Sequence, residues 1–405
     1  MTKQVLYLSY DGLTDALGQS QILPYLLGLE KIGHSFHIIS FEKKEAFTQF
    51  QAIIEEQIKG KNIRWHPLFY TKKPPVLSTL YDLKRMKNSA FSLQKSHHFD
   101  AIHCRSYLPG LIALKLKRKF ACPFIFDMRG FWADERVEGN LWNLKHPIYR
   151  QIYSYIKRKE ETLLSEADAI VSLTNAGKKS LLAVYPQLEI SPKISVIPCC
   201  VDQKLFVEEP TIKTSLDLTT LKKDAIILGY VGSLGTWYML DEMLDFFKIQ
   251  KLKNDTLHFL FLTKDARELV YTKAKERQIA TDDITVVSVP YQEMPSVMKA
   301  IDYGLFFIRP SFSKQASSPI KQAEFMAMGI PLICNSGIGD TSEIILQHQS
   351  GFVFDELSHA AFSSFSFDQI IFDKDKTLNA VNTIFSIEQG VKRYNEVYDT
   401  LKKKT

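Results

Sequence analysis

The sequence predicts an α/β protein made of two doubly wound domains. Short apolar, β-branched runs alternate with longer amphipathic stretches along the whole chain. The runs are almost continuously hydrophobic, as in parallel strands covered by helices on both faces. The alternation also comes in two successive series, and 405 residues at roughly 150 per domain leave room for two sizeable cores.

In order, the first series offers strands at Val5–Leu8, Phe36–Ile39, Ala101–His103, Phe124–Phe126, Ala169–Leu173 and Ile194–Ile197. A helix is expected over Ile22–Ile32, stopped by Gly33. The second series offers Ile226–Val231, Leu257–Leu262, Ile284–Val287, Gly304–Ile308, Pro331–Cys334 and Phe352–Phe354. A polar stretch over 203–223 separates them, which divides the chain into domains 1–203 and 204–384. The closing stretch Leu378–Leu401 carries Ile384, Val391, Tyr394, Val397 and Leu401 at helical spacing and ends in Lys402-Lys403-Lys404.

Composition narrows the class. A chain 45% hydrophobic and 24% charged is neither disordered nor collagen-like. No apolar run reaches the ~18 residues of a membrane span, and Met-Thr-Lys-Gln runs straight into Val5–Leu8 without a signal-peptide pattern. Five cysteines without paired zinc-ligand spacing fit a reducing cytoplasm. The net charge of +6 is uneven: residues 1–200 hold 28 Lys/Arg against 18 Asp/Glu, net +10, and the remainder 23 against 27, net −4. The basic half reads either as a solvated face or as one that meets an anionic membrane; no nucleic-acid motif accompanies it.

Three segments can carry chemistry. The loop Ser9–Gln21 holds Gly12, Gly18, Gln19 and Ser20 after the first strand and leads into a helix. Such a loop brings backbone N–H groups to a ligand, although an ordinary tight turn has the same pattern. The turn Gly229–Tyr238 follows the first strand of the second series, with Gly232, Ser233 and Gly235 permitting close approach to a phosphate. Its spacing is not the dinucleotide fingerprint, which argues against a nicotinamide cofactor. The segment Arg309–Pro331 is the densest. Ser318-Pro319 reads as an N-cap with proline at the first helical position, so N–H groups near Ser317–Lys321 would face a diphosphate. Arg309, Lys314 and Lys321 supply positive charge, and Glu324 can accept two ribose hydroxyls. There is no His-Glu-x-x-His, Gly-x-Ser-x-Gly or P-loop, and no Asp-x-Asp or histidine cluster for a metal.

The segment Ser317–Asn335 resembles the donor-site signature of family-4 retaining glycosyltransferases of the GT-B fold. The resemblance takes in the glycine-bearing first loop, Phe126–Trp132, Val196–Asp202, Gly229–Gly235, Met294-Pro295 with Ala300–Gly304, and Tyr394–Tyr398, in order. It implies two Rossmann-like domains facing across a cleft, the first binding the acceptor and the second a nucleoside-diphosphate sugar. It also implies that the final helix, about 385–405, packs back on the first domain. The sugar is expected to pass, with no metal and no resident cofactor, to a glycan or lipid-linked acceptor. The setting implied is surface polysaccharide synthesis in the cytoplasm or on the inner face of the membrane. Gly12, Gly18, Gln19 and Ser20 then become acceptor-side residues, and Asp127 and Arg129, at a strand end, face the sugar and a phosphate. Without the resemblance, Asp127 and Arg129 read equally well as an internal ion pair.

Two departures stand out. Ala316 occupies the place of the first of the family's two glutamates, and Ser233–Trp237 lacks the Arg and Lys that the family puts near the glycine turn. They keep two alternatives open: a sugar-nucleotide epimerase of the same architecture, and a catalytically silent nucleotide-binding subunit.

Overall fold

The computed structural model describes residues 2–214, 216 and 225–401. Part of the expected 203–223 linker and all of Lys402–Lys404 lie outside them. The chain divides into two compact units, residues 1–198 with 387–405, and residues 199–386.

Unit 1 is a parallel sheet of β1 (Gln4–Ser9), β2 (Ser35–Glu42), β3 (Ile63–Phe69), β4 (Ala101–Arg105), β5 (Phe124–Asp127), β6 (Ala169–Ser172) and β7 (Ile194–Val196). Their order is β3-β2-β1-β4-β5-β6-β7. Unit 2 repeats the plan with β8 (Ile226–Val231), β9 (Leu257–Leu262), β10 (Ile284–Val287), β11 (Tyr303–Phe306), β12 (Leu332–Asn335), β13 (Ser350–Phe354) and β14 (Ile371–Phe372). There the order is β10-β9-β8-β11-β12-β13-β14, and only β14 runs antiparallel. These are two Rossmann-like doubly wound sheets, as the alternation of the sequence predicts. Central strands such as β6 and β9 are buried at every position, which is why their sequences lack alternation. In each sheet the strand order reverses beside the first strand, β1/β4 and β8/β11. Open α/β sheets take ligands at the carboxyl ends of such strands.

Four expectations need correction. The helix foreseen over Ile22–Ile32 is two helices, Ala16–Gln21 and Leu23–Lys31, broken at Ile22 (φ −125°, ψ −64°), two residues before Pro24, which stands in the first turn of the second helix. The six-residue piece is too short to offer an anion site at its N-terminus. β3 was missed because it is an edge strand, mostly half-buried and interrupted by Pro67. The Leu378–Leu401 stretch is also interrupted: Lys374–Ala380 runs into a π-helical turn at Val381–Phe385, and a separate helix Ile387–Thr400 begins after Ser386. Finally, the helix in the dense segment begins at Ile320, with Pro319 rather than Ser318 at the N-cap. The Ser318 hydroxyl instead accepts the Cys199 N–H at 3.2 Å.

Candidate functional site

In unit 2 the candidate site grows from two loops at the carboxyl ends of β8 and β11. Gly232 leaves β8 at φ +109°, a conformation that suits only glycine, and its N–H is held by the Leu262 carbonyl at 2.9 Å. Beyond it, the Leu234 N–H is captured by Asp265 and the Tyr230 hydroxyl donates to the Ser233 carbonyl. Ser233 and Gly235 themselves stay exposed. The loop then lies on the exit of β11: the Arg309 N–H donates to the Trp237 carbonyl at 2.9 Å, and Tyr238 forms an antiparallel bridge with Ile308.

This path places three aromatic rings where cations gather. The Arg309 guanidinium lies 4.8 Å from the Trp237 ring centroid and the Lys314 ammonium 3.8 Å from it. The Lys321 ammonium sits between two rings, 3.4 Å from the Tyr238 centroid and 4.0 Å from that of Tyr230. A Cβ on Gly232 would meet Lys321 Nζ at 3.4 Å. Lys321 is 3% exposed and its Nζ has no hydrogen-bond acceptor. Cation–ring attraction offsets only part of the cost of burying an ammonium.

Burial pushes the Lys321 pKa well below the usual lysine range, with Glu324 opposing the shift. Burial likewise lifts Glu324 to about 7 against the pull of Lys321 and of the Tyr291 hydroxyl, which reaches Glu324 Oε1 at 3.3 Å. Lys321 also stands in the first turn of the helix Ile320–Ala327, where N–H groups lack intrahelical partners and the macrodipole is positive. The Lys321 ammonium is thus left without a hydrogen-bonded anionic partner, in a positive field and beside a glycine turn.

In unit 1, Asp127 ends β5 with 1% of its surface exposed. Tyr394 donates to its Oδ2 at 3.1 Å, with His103 Nε2 at 3.5 Å and Arg105 Nη1 at 3.9 Å from the same oxygen. Arg129 Nη1 lies 3.9 Å from Oδ1. Burial works against the charge on Asp127, but Arg129, the His103 hydrogen bond and Arg105 outweigh it and hold the carboxyl down at about 2. Asp127 and Arg129 are therefore an ion pair and also lie at the carboxyl end of the sheet. Arg129 takes φ +58°, which aims the chain away from the strand just before Gly130.

The glycine-bearing loop of unit 1 is held by Glu42, buried at the end of β2. Its carboxylate accepts the Leu13 and Thr14 N–H groups at 2.9 and 3.0 Å and the Thr14 and Ser40 hydroxyls at 2.5 Å each. Gly12 and Gly18 are packing positions: a Cβ on Gly12 would strike Glu42 Oε2 at 2.5 Å, and one on Gly18 the Gly12 carbonyl at 2.0 Å. Gln19 Nε2 donates to the Thr14 carbonyl and the Ser20 hydroxyl to the Ala16 carbonyl, so both side chains shape the loop itself.

Lys321, Glu324, Gly232, Arg309 and Lys314 thus come together in unit 2, and Asp127 and Arg129 in unit 1. The Ser317 N–H and the Ser318 hydroxyl take up other bonds than the helix cap foreseen there. The Ser317 N–H is taken by the Lys314 carbonyl at 3.1 Å, and Ser318 is spent on Cys199. Tyr230, Trp237, Tyr238, Tyr291, His103 and Glu42 were missed. The one available signal was a glycine turn rich in aromatic residues and empty of cations. Among the described residues no group of three or more His, Cys, Asp or Glu is arranged to hold a metal ion.

The chain matches two family models, "Glycosyltransferase Family 4" over residues 25–205 and "Glycosyl transferases group 1" over residues 214–382. No curated protein sequence matches it. Among solved structures it is similar to sucrose-phosphate synthase from Thermosynechococcus elongatus, with 14% identity and a TM-score of 0.72 over 98% of this chain and 99% of that one. It is also similar to Anabaena HepE in complex with UDP and glucose, with 12% identity and a TM-score of 0.67 over 98% and 100%. UDP-GlcNAc 2-epimerase from Neisseria meningitidis, bound to UDP-GlcNAc, aligns with 15% identity and a TM-score of 0.61 over 97% and 99%.

Proposed function

The chain belongs to the family-4 glycosyltransferases of the GT-B type, and from that premise we propose that it moves a sugar, with retention of configuration, from a nucleoside-diphosphate donor to a glycan or lipid-linked acceptor. The setting proposed is surface polysaccharide or glycoconjugate synthesis, in the cytoplasm or at the inner face of the membrane. No helix among the described residues is long and apolar enough to cross a membrane.

The observation that carries the reading is Lys321. A diphosphate seated at the start of the helix Ile320–Ala327 would meet its ammonium, and Arg309 and Lys314 stand on Trp237 beside the same turn. As the sugar–phosphate bond breaks, charge grows on the leaving phosphate, and cations with oriented N–H groups stabilise it without a metal. Glu324 would accept the two ribose hydroxyls. Ala316, buried at the end of the turn Ser313–Ala316, stands where the family has a glutamate, so a front-face displacement suits this site better than the paired-carboxylate route of glycosidases. A front-face displacement, in which the acceptor hydroxyl gives its proton to the departing phosphate oxygen, needs no such pair. In unit 1, Asp127 would orient a sugar hydroxyl, and the Gly12–Ser20 loop would border the acceptor.

The test is incubation with a panel of nucleotide sugars, with and without EDTA, following free nucleoside diphosphate. Slow release from one donor, unaffected by EDTA, is expected. A C2-epimerised nucleotide sugar would instead identify an epimerase, and binding without turnover a silent subunit. Loss of turnover that Mg²⁺ or Mn²⁺ restores would overturn the metal-free reading.

A further inference from the structure

In unit 1, β3 leads into the long helix Leu77–His97 at an exposed corner of the sheet's carboxyl edge. Phe69, Tyr70, Val76, Leu77, Leu80 and Tyr81 are all exposed large hydrophobic residues there, with Leu77 at 63% and Leu80 at 58%. Elsewhere most exposed hydrophobics are scattered singly; six within thirteen residues of chain are a patch. Residues 69–87 also carry Lys72, Lys73, Lys84, Arg85 and Lys87 against one acid, Asp82.

That acid is an internal fastener. Asp82 is fully buried and accepts the Tyr10 hydroxyl at 3.0 Å, the Thr71 N–H at 3.0 Å and the Thr71 hydroxyl at 2.8 Å. It ties the exits of β1 and β3 to the helix, so the patch is braced from beneath, and Arg85 is anchored on the Phe69 carbonyl at 2.7 Å. Behind the patch, Phe47 packs on both Trp65 and Phe69, at ring distances of 5.6 and 5.1 Å. Within residues 69–87 the exposed side chains are thus aliphatic, aromatic and cationic, and the one acid, Asp82, is buried.

We propose that this corner docks unit 1 on an anionic lipid bilayer, with Leu77, Leu80 and Tyr81 entering the interface and the lysines meeting headgroups. A second copy of the chain is a poor occupant, since a two-fold contact would set five cations against five. A nucleic acid would use the aromatic rings but leave Val76, Leu77 and Leu80 without a partner. The other basic stretches of the first half are less free. Lys117 is paired with Asp168 at 2.7 Å, Arg118 with Glu166, and Lys157 with Asp134 at 2.9 Å and with Glu160. Along the helix Pro147–Glu166 the apolar stripe turns inward at Ile156, which is buried. The proposal deepens the transferase reading by naming where a membrane-held acceptor is met, and rests on that reading only for its purpose.

The experiment is sedimentation of the full chain with vesicles of phosphatidylcholine containing roughly one third phosphatidylglycerol, at low salt and at about 0.5 M salt. Leu77→Glu/Leu80→Glu and Lys72→Glu/Lys73→Glu are compared with Arg150→Glu/Lys159→Glu on the other helix. Binding at low salt is expected, with partitioning lowered about tenfold or more by either patch variant, little by the third, and strongly by salt. Absence of low-salt binding, or equal loss in all three variants, overturns the proposal. So does a concentration-dependent dimer that Leu77→Glu/Leu80→Glu dissolves. Donor hydrolysis measured on the same samples separates the two readings: vesicle binding without hydrolysis sinks the enzyme, and hydrolysis without vesicle binding sinks the surface.

Discussion

Lys321 makes a prediction that a purely structural lysine would not. Its ammonium is buried without an acceptor, so Lys321→Met should raise thermal stability, since it removes an unpaired buried charge. The same change should weaken nucleoside-diphosphate affinity by about 1.5–3 kcal/mol through loss of a charge-assisted contact. Calorimetry together with thermal melts reads both; lower stability with unchanged affinity would assign Lys321 to packing alone. Glu324→Ala should weaken donor binding by about 1–3 kcal/mol, and unchanged nucleotide affinity would remove it from the ribose. Burial raises the Glu324 pKa to about 7 from 4.5, so the folded chain holds a proton that the unfolded chain has lost. Its contribution is therefore full below about pH 4.5 and fades as pH rises to about 7, whereas donor affinity should climb as pH passes through about 7 and the folded carboxylate forms. Asp127 has the opposite sign. Held at about 2 against 3.8, it supports the fold above pH 3.8 and loses that support as pH falls toward 2. Glu324, Asp127 and Lys321 were legible in the sequence because they sit inside motifs. Their partners were not: Tyr230 and Tyr238 lie about ninety positions before Lys321, and Tyr394 lies 267 positions after Asp127, distances that only the fold closes.

At the scale of elements, strands dense in β-branched, leucine or aromatic residues were readable, and diluted or very short ones were not. β8 and β9 inside the sheet, and β10 at its edge, have the bounds that hydrophobicity alone suggests. β3 escaped because half-burial dilutes its pattern, and the two-residue β14 is too short to register. The Ser318 cap failed by one residue because its hydroxyl answers a tertiary demand from Cys199 instead of the local helix. Glu42 illustrates the same point at the first loop. In sequence it is an acid at a strand end; in the fold it is the acceptor for four donors from Leu13, Thr14 and Ser40. Glu42→Ala should therefore cost about 2–4 kcal/mol, since those buried donors would be left unmatched. Hydrogen exchange should show the Leu13 and Thr14 amides opening while the β8–β11 region keeps its protection. Uniform loss of protection across both units would contradict a role confined to the loop.

At the scale of the molecule, unit 1 is completed by the end of the chain. The helix Ile387–Thr400 buries Val391, Tyr394, Val397 and Tyr398, with Leu401 just beyond it. Its neighbour, the helix Leu23–Lys31, carries Gly28 at the contact, where a Cβ would strike Val391 Cγ2 at 2.4 Å. Tyr398 meets His103 Nδ1 at 2.8 Å, Asn395 meets His34 at 2.9 Å, and the Leu401 carbonyl accepts from Lys3 at 3.0 Å. Periodicity revealed the helix, but not that the turn Val381–Phe385 and the residues before it belong to unit 2. Five large side chains at ~1.5–3 kcal/mol each sum to roughly the whole stability of an ordinary domain. A chain ending at Ser386 should therefore lose unit 1 while keeping unit 2, whose own core draws on residues 201–385. Limited proteolysis of that chain should leave a resistant core starting near Cys199, and nucleoside-diphosphate binding should survive in it. A peptide of residues 387–405 supplied in trans should restore part of the protection of β1 and β4, because the face it covers is otherwise apolar surface open to water. The milder variant Gly28→Leu should act in the same direction, lowering the melting of unit 1 and leaving that of unit 2 in place. If the chain ending at Ser386 instead melts as the full one does, the last helix is an accessory to unit 1, and Tyr394 no longer explains how Asp127 is held.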